Sequence, residues 1–72
     1  MKNLLHAYVE KDENKYHLVI KDGGDVGYYL FVYLGDSDKD IVDDLQDSIE
    51  FAKSAAEARF PGVSIKWDEV RN

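Results

Sequence analysis

GYYLFVYLGDSDKD, residues 27–40, decides how this chain folds. A run that is apolar on both faces of a would-be strand passes, through one glycine, into a cluster of acids. A strand with one wet face alternates apolar and polar residues, and this one does not. A helix opens on clustered acids only where its dipole favours them.

The residues before this stretch read as strands. LLHAYVE (4–10) and KYHLVIK (15–21) are rich in β-formers and are separated by the polar turn KDEN (11–14). VGYYLFVYL (26–34) follows DGGD (22–25), whose paired glycines can take the positive φ of a tight hairpin. The expectation is a three-stranded antiparallel meander.

After it, Ser37 reads as an N-cap with Asp40 three residues on, a variant of the capping box. Ile41, Leu45, Ile49, Ala52, Ala56 and Phe60 recur at spacings of three and four and make one apolar stripe. The spacing predicts a helix from about Asp38 to Arg59, ended by Pro61-Gly62. VSIKWDEV (63–70) alternates again and reads as a last strand, returning parallel to the third and beside either the first or the third. The predicted fold is a single small α+β domain over residues 1–72, in the order βββαβ, with one long helix on one face of the sheet.

Register shows what the helix leaves open. The KDEN loop puts Leu5, Ala7 and Val9 on one face with Tyr16, Leu18 and Ile20. A four-residue DGGD loop adds Gly27, Tyr29, Phe31 and Tyr33 to that face, under the helix. The other face then carries His6, Tyr8, His17, Val19, Tyr28, Leu30, Val32 and Leu34, and a slip of one residue exchanges the two sets from the third strand. Either way an apolar strip stays uncovered, and such a strip marks an interface. Tyr8, Val19, Tyr28, Leu30 and Val32 are its expected members, with a homodimer as one expected outcome.

Charge narrows the partner. The net charge is −6, from fifteen acids against nine bases. Seven acids lie between residues 36 and 50, namely Asp36, Asp38, Asp40, Asp43, Asp44, Asp47 and Glu50, with Lys39 the single base among them. Outside that window eight acids face eight bases, so the excess sits in one segment. Direct nucleic-acid binding is disfavoured, because phosphate contacts need Lys and Arg. A helix dipole accounts for acids in its first turn. It does not account for Asp43, Asp44, Asp47 and Glu50, which repel one another on a helix. Those acids suit either a solvated face that aids solubility or a ridge that meets a basic protein surface.

Chemistry of other kinds finds little support. There are no cysteines, so disulfides and zinc-thiolate sites are excluded. His6 and His17 fall on adjacent strands but make half a metal site, and no metal or cofactor is expected. Asp36, Asp38 and Asp40 fit the first three positions of a calcium loop, but Ile41 stands where glycine is needed and Asp47 where a bidentate Glu is needed. Ser37, Ser48, Ser54 and Ser64 lie on no nucleophile pattern, and Gly23-Gly24 opens no helix to cradle a phosphate, so no catalytic residues are assigned. No apolar run approaches the about 18 residues of a membrane span, and MKNLLHAYVEKDE is a poor signal peptide, so a cytoplasmic, membrane-free protein is expected.

The expected function is that of a small acidic inhibitor without enzymatic activity, docking its acidic helix on the basic surface of a nucleic-acid-acting protein. Anti-CRISPR and other anti-defence proteins and bacterial immunity proteins are of this physical type. GYYLFVYLGDSDKDIVDDLQDSIEFAKSA (27–55) also loosely resembles HicB-type antitoxins, in which a Gly-Tyr strand leads into an acid-rich helix. That resemblance implies toxin neutralisation, a strand–strand–strand–helix–strand core and self-association. A plain dimerising structural module is the third reading.

Overall fold

The computed structural model describes residues 2–71 as five strands and one helix. The strands are β1 (Lys2–Lys11), β2 (Asn14–Asp22), β3 (Tyr28–Leu34), β4 (Asp40–Gln46) and β5 (Asp68–Glu69), and α1 spans Ile49–Arg59. They form one antiparallel sheet in the order β4-β3-β2-β1-β5. The α+β class expected from sequence is present, with two differences in its second half.

The first hairpin follows its sequence. Glu10 pairs with Lys15 and Lys11 with Asn14, which leaves a two-residue loop with both residues at positive φ, Asp12 at 52° and Glu13 at 69°. Two consecutive positive φ values give the turn a twist that matches the strands it joins.

The second hairpin is longer than DGGD suggests. Asp22 pairs with Tyr28 and Lys21 with Tyr29, so the loop is residues 23–27. Gly23 donates to the Gly27 carbonyl at 2.7 Å, and Gly27 sits at φ 125°. A side chain at Gly27 would run into the Gln46 carbonyl, which leaves glycine as the residue that fits. The register differs from the four-residue reading by an odd number, so every β3 side chain changes face. Tyr28, Leu30 and Val32 point to the helix, and Tyr29, Phe31 and Tyr33 to the open side.

The larger correction is at residues 38–48. The predicted helix does not begin at Asp38; Asp40–Gln46 is an edge strand paired with β3. Ile41 and Leu45 belong to no helical stripe and are 57% and 46% exposed. Two physical causes favour the strand. Adjacent acids on a strand point to opposite faces, whereas on a helix Asp40, Asp43, Asp44 and Asp47 would crowd at spacings of three and four. Asp is also a poor former of helix interiors. The ladder shifts between Val32 and Tyr33, with Ile41 as the extra residue, and this breaks the period-two pattern that would reveal the strand. The acid-rich helix that carried the likeness to HicB-type antitoxins is therefore β4.

Ser48, not Ser37, caps the helix. Its extended backbone turns into α1 and its Oγ accepts from the Phe51 N–H at 3.1 Å. Ser37 instead holds the loop before β4, its Oγ accepting from Lys39 N–H at 3.1 Å. The rest of the expected stripe is real: Ala52, Ala56 and Phe60 are buried. They pack on Leu18, Ile20, Leu30 and Val32, the largest fully buried side chains. Removing each of these from water contributes about 1.5–3 kcal/mol.

The tail is the second difference. Val63, Ile65 and Trp67 pack against the same core as α1, so their alternation is real. Only Asp68 and Glu69 join a ladder, however, and they run antiparallel to β1 and hence to β3. The parallel return strand does not form. Helix and tail together cover one face of the sheet, and the opposite face has neither on it.

Candidate functional site

The open face is built from alternate residues of four strands. Cross-strand pairing places His6 beside Val19, Tyr8 beside His17, Val19 beside Phe31, His17 beside Tyr33 and Lys21 beside Tyr29. β4 adds Leu45 opposite Tyr29, Asp43 opposite Phe31 and Asp40 opposite Tyr33.

Aromatic rings run along and across this face. Tyr29 and Phe31 stack with centroids 5.8 Å apart, and Phe31 and Tyr33 at 6.4 Å. His17 lies 6.2 Å from Tyr33, and Tyr8 stacks on His17 at 4.4 Å with planes 7° apart. The Lys21 Nζ sits 4.9 Å from the Phe31 centroid, within cation–π range. Tyr8, at the end of this series, is 70% exposed. His6 Nδ1 and His17 Nε2 lie 3.3 Å apart, within hydrogen-bonding distance. Burial, and then the neighbouring His6, hold the His17 pKa below its ordinary value.

The acids divide into three groups. Asp40 and Asp43 share the open face with the aromatic rings, and exposed Asp36 and Asp38 lie in the loop before β4. Asp38 and Ser37 line a shallow groove with Asn3, His17, Val19, Lys21 and Tyr33. Asp44 instead faces the helix, where it accepts from Gln46 Nε2 at 3.2 Å and lies 3.8 Å from the Arg59 guanidinium. Asp47 precedes the helix cap, and Glu50 lies in the first turn of α1, where the dipole favours it. The single acidic helix face expected from sequence does not exist. Three of the seven acids, Asp38, Asp40 and Asp43, border the aromatic face, and they sit on or next to an edge strand. Charge on such an edge also prevents it from pairing with other strands.

The sheet-face residues divide as well. Tyr8 is on the open face and exposed; Val19 points to the same face but is only 5% exposed, so it offers little surface to a partner. Tyr28, Leu30 and Val32 are on the helix side, with Leu30 0% and Val32 1% exposed. Their places are taken by Tyr29, Phe31 and Tyr33. One signal in the sequence separates part of the two sets. Aliphatic Leu30 and Val32 suit a dry core, while Tyr29 and Tyr33 keep a polar edge that tolerates water; Tyr28 and Phe31 do not follow it.

The twelve residues 36–47 form no calcium loop, since seven of them are in β4. Among the described residues, no three His, Cys, Asp or Glu side chains gather as metal ligands. No helix among them is long and apolar enough to cross a membrane. No protein-family model matches the chain, and neither the curated proteins nor the solved structures contain a match to it.

Proposed function

We propose that this is a non-enzymatic binding protein that docks its open sheet face on another protein and so inhibits it. The observation that carries this reading is the continuous aromatic strip Tyr29–Phe31–Tyr33–His17–Tyr8, bordered by Asp38, Asp40 and Asp43. Aromatic anchors supply most of the energy of protein interfaces, and a charged rim supplies steering and choice of partner. The complementary surface is an apolar patch edged by Lys and Arg. Nucleic-acid-acting proteins carry such basic edges to hold phosphates, and a partner covered there is blocked. The mode is that of anti-defence and immunity-type inhibitors, with the acids carried on a strand and its loop rather than on a helix.

Aromatic rings on a sheet also suit base stacking, but stacking platforms for single strands lie in positively charged grooves. Lys21 is set here among Asp38, Asp40 and Asp43, within a chain of net charge −6, so a protein partner fits better than nucleic acid.

Affinity capture from the native host tests the reading. Wild type should retain a basic protein that the Asp38→Lys/Asp43→Lys and Phe31→Ser/Tyr33→Ser variants both lose. Asp47→Lys/Glu57→Lys, away from the open face, should retain it. Equal capture by all four baits sinks the proposal. A concentration-dependent dimer that disappears in Phe31→Ser/Tyr33→Ser would replace the partner with a second copy of the chain.

A further inference from the structure

Two imidazoles at one end of the open face have an arrangement that docking does not require. His6 and His17 are diagonal neighbours on β1 and β2, since His6 pairs with Val19 and His17 with Tyr8. Their nearest ring nitrogens, Nδ1 of His6 and Nε2 of His17, are 3.3 Å apart. Two nitrogens bound at about 2.0–2.1 Å to a tetrahedral zinc ion lie about 3.3–3.4 Å from each other. The pair is therefore already at the span of a chelate. The rings are also held: Tyr8 stacks on His17 at 4.4 Å and meets His6 edge-on at 5.7 Å. Ligands fixed on strands of a sheet lose little freedom on binding.

We infer that His6 and His17 form a bidentate site for a divalent transition-metal ion, with zinc as the ion that fits its span. Imidazole is a borderline donor that takes zinc, copper and nickel in preference to calcium or magnesium. Chelation through these two atoms places the N–H of His6 on Nε2 and that of His17 on Nδ1. The proton that lies between the rings in the hydrogen-bonded pair moves to the outer nitrogen of its own ring, and nothing is oxidised or reduced. Since no third protein ligand is gathered among the described residues, water fills the other positions. That makes the site exchangeable, unlike the closed four-ligand sites that hold folds together. Bound metal adds positive charge at His17, which lines one groove with Tyr33 and Asp38. The inference stands on the imidazole geometry and is independent of the docking proposal.

Calorimetric titration of the whole chain with zinc chloride tests it, with excess magnesium present to occupy the carboxylates. Wild type should bind one zinc per chain. His6→Ala and His17→Ala should each weaken binding more than about ten-fold, while Asp47→Asn/Glu50→Asn should leave it unchanged. Proton resonances of the two histidine rings in wild type give a second readout that requires no variant, and both should shift up to one equivalent of zinc. Unmoved ring signals, or wild-type affinity in both histidine variants, overturn the inference.

Discussion

The two faces of the sheet are both apolar, but they are made of different residues. Under the helix lie Leu18, Ile20, Leu30 and Val32, aliphatic and fully buried. On the open side lie Tyr29, Phe31, Tyr33, Tyr8 and two histidines, with Lys21 and Asp43 among them. Aliphatic side chains gain most from complete removal from water and have no use for a wet edge. Tyr and His keep a polar edge that water can satisfy, and their rings remain available to a ligand. The sheet thus puts its largest fully buried aliphatic side chains on one face and most of its aromatic rings on the other, with Tyr16 and Tyr28 as exceptions that pack on the helix side. β3 shows this within itself, because Leu30 and Val32 alternate with Tyr29, Phe31 and Tyr33.

Truncations on β3 are the most direct way to break this contrast. Leu30→Ala leaves a cavity in the core and should destabilise by about 2–5 kcal/mol in urea denaturation, a large part of the total for a domain of this size. Phe31→Ser, one residue away and half-buried on the open face, should cost less stability than Leu30→Ala while removing partner binding. Similar losses for the two would mean that the open face is a second core. Gly27→Ala acts on the device that decides which residues go to which face. It forces a side chain against the Gln46 carbonyl at φ 125°, and a destabilisation of about 2 kcal/mol is expected. An unaffected variant would show that the five-residue loop does not hold the register.

Two smaller effects sharpen the comparison. Glu13→Gly relieves a positive φ in a turn that touches neither face, and should stabilise by about 0.5 kcal/mol, read as a rise in Tm. His17 gives the open face a pH dependence. Its folded pKa lies below the unfolded value of about 6.5, so the unfolded chain binds its proton first. Stability should be level above that pH and fall as pH drops through it. In chelator-treated buffer His17→Asn should reduce this acid-side loss, measured by denaturation on either side of the transition. Among the described residues, no polar or charged residue is in the buried core under the helix.

Legibility in the sequence follows the range of the forces involved. The β1–β2 hairpin is local: its loop and alternation set the register, and Leu5, Ala7, Val9, Tyr16, Leu18 and Ile20 share a face as expected. The Ala52–Ala56–Phe60 stripe is local too. At residues 40–46 the local signal misleads, because Ile41, Leu45 and Ile49 are four apart by coincidence and the ladder shift at Ile41 hides the strand period. Of the candidate site, the existence of an uncovered apolar strip was readable; that acids lie beside it was not, because they were expected on a helix across the sheet and β4 carries them instead. The identity of its β3 members was not, because one hairpin loop of odd or even length decides it.

By itself, the sequence determined an antiparallel α+β chain, a surplus of apolar surface over what one helix can cover, and an acidic excess confined to residues 36–50. Only the tertiary structure decided that three of those seven acids belong to a strand, that the last strand runs beside β1, and which rings face outward. The reason is that β pairing joins residues far apart in the chain. A free edge on β3 turns an ambiguous segment into a strand by offering it hydrogen bonds that no local pattern records.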